Sequence, residues 1–312
     1  MHHNTYDRFG GSWWGGIIGQ TIVNQADALT QPWVLKRRQI AEMLLSEKLN
    51  RTNLALFLAA QSADSRLNEV NNWQDHSNLL SWLPSIILQT DEPNLYLRLM
   101  QPDFKSAHTN SNIVSSQNIL IWSYLLATVL NHQTRLGEQA LSIEEMFNHN
   151  LILKSPLIEK LSIVLQGIKS GSSLQQITEQ LSSKDQLQAT AIALAWYCFV
   201  TTPNDFKLSI QRAARVDSKL SWLTITLTST LSGAYNGMTA ILGNRRTDIE
   251  QNHSWQLENH LLLKLLRFWL GVYAVEQNYE AYNLELDAIA LPQFIQPRQS
   301  LKIISQLLSN KN

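Results

Sequence analysis

The chain has 312 residues, 44% of them hydrophobic, and 25 basic against 25 acidic side chains. That is enough apolar material for a sizeable core, while 12 Gly and 8 Pro are too few turn formers for an all-β sandwich. A net charge of zero argues against a nucleic-acid binder and leaves little repulsion against assembly into a homo-oligomer.

Helical periodicity recurs along almost the whole chain. The start, Met1-His2-His3-Asn4, carries no basic region followed by an apolar stretch, so no signal peptide is expected. Gly, Gln and Asn interrupt the apolar run from Trp13 to Val23, which argues against a membrane span and for a cytoplasmic protein. Gly11, Gly15 and Gly19 are spaced by four, so they share one helical face and let a second helix or a ligand approach the backbone. Close helix packing is the expected use. Residues 35–48 read as an amphipathic helix, with Leu35, Ile40, Met43, Leu44 and Leu45 mostly on one side. The basic cluster Lys36-Arg37-Arg38 reads as its solvated face.

A second helix is expected over 52–66, capped near Asn50 or Thr52, and a third opens at Asp75 and kinks at Pro84. Pro102 to Gln117, rich in Ser, Asn and Thr, reads as a loop before a buried helix at 119–130. Ser155-Pro156 is an N-cap and first-turn pair, Gly171-Ser172-Ser173 starts the next helix, and 186–201 follows. Thr202-Pro203-Asn204-Asp205 opens a helix through Ala213. Residues 224–230 alternate like a strand and are β-branched, so propensity alone gives β there. Gly243 to Gln251 reads as a loop, 254–277 as the longest apolar-rich helix, and 298–309 as the last.

The chemistry-bearing residues are sparse. Cys198, the one cysteine, lies in an apolar run and reads as a small buried side chain. The eight histidines form no metal-ligand pair at helical spacing, and there is neither a nucleophile elbow nor a phosphate-binding glycine loop. Of ten tryptophans, 13, 14, 82, 122, 196 and 222 have apolar surroundings and are expected in the core. Trp33, Trp73 and Trp255 have polar neighbours and are the candidate protein contacts.

Three stretches together resemble the ADP-ribosylglycohydrolase family. The run from Gly11 through Gly15 and Gly19 matches a Gly-x-x-x-Gly-x-x-x-Gly-Asp opening, with Gln20 in place of the acid. Leu49-Asn50-Arg51-Thr52 falls where the family has Thr-Asp-Asp-Thr, and Ala55-Leu56 continue the match. Gly233-Ala234-Tyr235-Asn236-Gly237 matches a later small-residue run. Counting back from it puts Leu220-Ser221-Trp222 where an acidic triplet belongs. The resemblance spans residues 7 to 246 and implies an all-α, orthogonal multi-helix array. It also turns 224–230 from strand to helix. Residues 1–250 are then the helical domain, and 251–312 a C-terminal helical extension packed on it.

The family's acids hold a pair of Mg²⁺ or Mn²⁺ ions, hard cations that need anionic oxygens. Here Asn50 offers one neutral carbonyl, and Arg51 adds a positive charge that costs about 4 kcal/mol per close like-charge contact at an effective dielectric near 20. The resemblance therefore implies a chain without metal, cofactor or catalytic residues, acting through an unidentified protein partner. The alternative keeps a metal-independent site for ADP-ribose or a nucleotide. Arg51 would pair with phosphate there, with Gln20, Asn50, Thr52, Ser221 and Asn236 as polar neighbours. An active ADP-ribosyl hydrolase with relocated acids is the remaining reading.

Overall fold

The computed structural model describes residues 5–24, 29, 31–45, 110–131, 155–181, 186–216, 218–242 and 253–270. No strand occurs among them. Their helices are α1 (Thr5–Asn24), α2 (Pro32–Leu45), α3 (Asn110–Asn131), α4 (Pro156–Ser170), α5 (Leu174–Leu181), α6 (Leu187–Val200), α7 (Phe206–Ala213), α8 (Ser218–Leu242) and α9 (His253–Leu270). The expected helices over 52–66, 75–84 and 298–309, and the loop at 243–251, lie outside the described residues.

The helix ends are set by local chemistry. Pro156 opens α4 after an extended Ser155, as expected, although the Ser155 hydroxyl makes no capping bond. The same helix stops at Gly171, whose φ of 68° only glycine adopts freely. There Ser172 N donates to Gly167 O at 2.8 Å and Gly171 N to Ile168 O at 3.2 Å, the double bond of a Schellman end. Ser173 and Gln176 then form a reciprocal capping box that starts α5. Asp205 caps α7 by accepting from Leu208 N at 2.8 Å.

Helix α6 is buried all round from Gln188 to Phe199, as a central helix must be, and it packs against α4 and α8. Trp13, Trp14, Trp122 and Trp196 are in the core as expected, and so is Cys198. Burial pushes the Cys198 thiol up to about 12, against the opposing pull of Arg212.

Helices α1 and α8 make the most extensive helix–helix contact among the described residues. They run antiparallel: Gly11 lies on Gly233 and Gly237, Gly15 on Ser229, and Gly19 on Ser229 and Ile225. A Cβ on Gly11 would strike the Gly233 carbonyl oxygen, and one on Gly15 the Ser229 carbonyl oxygen. The glycine spacing is thus used for helix packing. Opposite it, residues 224–230 are helical in spite of their β-branched alternation. Three of their hydroxyls turn back on the helix itself: Thr226 donates to Trp222 O, Ser229 to Ile225 O and Thr230 to Thr226 O, while Thr228 donates to Ala195 O of α6 at 3.5 Å and Thr224 Oγ1 has no acceptor. Those three buried hydroxyls are thereby satisfied within the helix, and small side chains keep the approach close.

Helix α8 breaks at Gly237 (φ 80°, ψ 165°). The segment beyond the break is held by Asp7 of α1, which accepts from Thr239 N at 2.8 Å and from Thr239 Oγ1 at 2.6 Å. Arg8, one residue on, is buried and donates to the carbonyls of Ala234, Val129 and Leu130. It therefore closes the C-terminal end of α3, where unpaired carbonyls collect. Burial pulls the Arg8 guanidinium down to about 10, with Tyr235 acting the other way.

Two expectations fail here. Residues 110–117 belong to α3 rather than to a loop. Their Ser and Asn carry only small helix penalties, which the apolar packing of the rest of α3 outweighs. Lys36-Arg37-Arg38 is not a wholly solvated face, because Arg37 is 0% exposed. It lies on the buried stripe of α2 with Trp33, Val34, Ile40, Ala41 and Leu44. What outweighs its charge is an acid on another helix, described below.

Candidate functional site

Gln20 ends the glycine face of α1 and lies 6% exposed against α2 and α8. Its Nε2 donates to Thr226 Oγ1 at 2.8 Å, and its Oε1 accepts from Trp33 Nε1 at 3.3 Å. An indole N–H can only donate, so the amide orientation is determined by the network. Thr226 passes its own proton to Trp222 O at 2.7 Å. Trp33, Gln20, Thr226 and Trp222 thus form one hydrogen-bonded chain linking α2, α1 and α8. Trp222 is half-buried and packs against the core. Trp33 is 3% exposed, so it is a strut within the molecule rather than a surface contact.

Ser221 stands in the first turns of α8, close to Trp222, and Asn236 near its far end. The fifteen residue steps from one to the other span about 22 Å of helix. Asn236 uses its Nδ2 on Pro203 O at 2.8 Å, Ser232 O at 2.8 Å and Ser232 Oγ at 3.1 Å. It also lines a groove of about 590 Å³ with Ile18, Ile22, Phe206 and Ile241, which includes neither Gln20 nor Ser221. Of Gln20, Ser221 and Asn236, only Asn236 lines this groove. Helix α8 carries the last two at opposite ends. Asn50, Arg51, Thr52 and Trp73 lie outside the described residues.

The third tryptophan, Trp255, is 8% exposed and stacks on Trp14 with ring centroids 4.9 Å apart and planes within 7°. It also is not a free contact. Its polar neighbours in sequence follow the helix surface, while its ring faces α1.

Sequence reasoning missed the most strongly charged feature of the interior. Glu258 of α9, wholly buried, accepts from Arg37 Nη2 at 2.6 Å through Oε2 and from Arg38 Nε through Oε1. Trp13 Nε1 donates to the same Oε2 at 3.0 Å, and Arg37 Nη1 donates to Trp13 O at 3.0 Å. The Arg37 guanidinium carbon stands 3.9 Å from the centroid of the Trp13 ring. Burial pulls the Arg37 guanidinium down from its ordinary value, and Glu258 opposes that shift. A signal existed in the sequence. Glu258 interrupts the apolar stripe Trp255, Leu262, Leu265, Leu266, and Arg37 interrupts that of α2. Two opposite charges on two apolar faces ask for each other, because neither is stable there alone.

No protein-family model, curated protein or solved structure matches the chain. Among the described residues, no three His, Cys, Asp or Glu side chains gather as a metal-binding group. No helix among them is long and apolar enough to cross a membrane.

Proposed function

We propose that the chain is a catalytically inactive relative of the ADP-ribosylglycohydrolases, with their orthogonal helical array, and that it acts as a protein-binding or regulatory factor. The observation that carries this reading is the closed amide of Gln20. It occupies the place of an acid in the resemblance, yet both ends of its amide are committed to Thr226 and Trp33 inside the molecule. The contact between the Gly11–Gly19 face and Ser229–Gly237 also supports it, since it joins the two described segments that carry the resemblance. Metal-independent binding of ADP-ribose draws less support, because the Gln20 amide is committed inside the molecule and Asn236 lines a groove without Gln20 or Ser221. Contact with a protein would use the exposed leucines of the packed α2–α9 pair, Leu35 at 47% and Leu257 at 51%.

The test combines Mn²⁺ calorimetry, an ADP-ribosyl-arginine hydrolysis assay and affinity purification of the tagged chain from its own cells. The expected outcome is no metal binding, no turnover and a co-eluting protein that Leu35→Ser with Leu257→Ser releases. Micromolar metal binding with turnover would overturn the proposal. Thermal stabilisation by ADP-ribose of a chain without a companion would replace it with the small-molecule reading.

A further inference from the structure

A groove of about 890 Å³ lies between the α4–α5 turn, the end of α6 and the end of α7. Two cations line it, Arg212 from the last turn of α7 and Arg215 from the turn that follows, against one acid, Glu179. Ile168 and Leu174 add apolar wall, and Tyr197 adds its phenol. That phenol is held in place: the buried Tyr197 donates to Ser172 O at 2.6 Å. Arg212 Nη2 donates to the phenol oxygen of Tyr197 at 3.5 Å, and its guanidinium carbon stands 5.5 Å from the Tyr197 ring centroid.

The buried guanidinia elsewhere are matched, Arg37 by Glu258 and Arg8 by three carbonyls. Arg212 is not. Its Nε has no acceptor, as is also true of Arg37 Nε, but no carboxylate pairs with Arg212 or with Arg215 among the described residues. A guanidinium on a groove wall with no carboxylate beside it can take the oxygens of an anion. Two such cations suit a dianion better than a single carboxylate. The volume falls within the range of small-molecule sites, and the apolar wall gives an uncharged portion somewhere to lie.

We propose that this groove binds a small organic phosphate, with the phosphoryl group on Arg212 and Arg215 and the uncharged part against Ile168 and Leu174. The site is separate from the Gln20 region and does not depend on the inactive-relative reading, which metal binding and hydrolysis test on their own. The experiment is calorimetry on the full chain with phenyl phosphate, inorganic phosphate, benzoate and phenol as probes. Phenyl phosphate is expected to bind tightest, inorganic phosphate and benzoate at least about tenfold more weakly, and phenol not at all. Arg212→Gln is expected to weaken phenyl phosphate about tenfold or more, Arg212→Lys less, and Arg215→Gln several-fold. Lys207→Gln, an exposed change elsewhere on α7, leaves binding intact. Should Arg212→Gln unfold the chain, Arg212→Lys and the exposed Arg215→Gln carry the test. No binding of phenyl phosphate at millimolar concentration overturns the proposal. So does equal binding of benzoate, or affinity unchanged in both Arg212→Lys and Arg215→Gln.

Discussion

Helix α1 meets its neighbours by two different physical means. Against α8 it presents glycines, and the two backbones approach so closely that no side chain fits between them. Toward α2 and α9 it presents tryptophans, and the space is filled by rings around a buried ion pair. The first contact is limited by volume and carries no charge at its closest points. The second is limited by charge balance, since three donors converge on one carboxylate. One helix thus depends on what is missing from its side chains along one face and on what is fully paired near the other.

The sharpest way to break the comparison is at the charged side. Glu258→Ala leaves Arg37 buried without a counter-charge and is expected to cost about 3–5 kcal/mol in urea unfolding. The companion change, Arg37→Met with Glu258→Leu, is expected to return stability to within about 2 kcal/mol of the parent, because the charge is removed together with its partner. If the double variant is as unstable as Glu258→Ala, the junction is governed by shape and the contrast fails. Added salt should alter the Glu258→Ala deficit little, since ions do not reach a wholly buried pair.

At the glycine side, Gly15→Ala adds one methyl group against the Ser229 carbonyl and is expected to cost about 1–3 kcal/mol. A neutral or stabilising result in the same titration would mean that α1 and α8 can separate freely, and the volume argument would be lost. Away from both junctions, Asp205→Ala removes the α7 cap and should cost about 1 kcal/mol. That value calibrates an ordinary helix end against the two contacts.

The smallest effect near neutral pH belongs to Cys198. Its folded pKa is raised from 9.0 to about 12, so the unfolded thiol ionises first and the folded one keeps its proton. This group therefore has no effect on stability below about pH 9 and lowers it progressively between 9.0 and about 12. Comparing Cys198→Ala with the parent across that window isolates the loss. The native thiol should also resist a disulfide reagent until denaturant is added, and rapid native labelling would contradict its burial.

Much of the fold was legible in the sequence because helix ends and apolar stripes are local. The Ser155-Pro156 start, the Gly171 stop and the Asp205 cap each follow from residues within one turn. The glycine spacing of α1 pointed to a close neighbour. It could not say which, as that neighbour is more than 200 positions away. Residues 224–230 misled propensity because their hydroxyls have a use that only a helix supplies. The candidate site was less legible. Trp33 and Trp255 were judged from the polarity of chain neighbours, but a helical residue is buried according to its face. Gln20, Ser221 and Asn236 looked like one polar set, until α8 separated the last two along its length.

By itself the sequence settled the helical class, the ends of several helices and the tryptophans of the core, all matters of spacing within a few turns. It also held two charges on apolar stripes, Arg37 and Glu258, without saying how either would be satisfied. Only the tertiary structure paired them, closed the Gln20 amide on Thr226 and Trp33, and left Arg212 without a carboxylate among the described residues. The reason is that a periodic pattern specifies which face of a helix turns inward, whereas the partner of a polar group there depends on which other helix arrives.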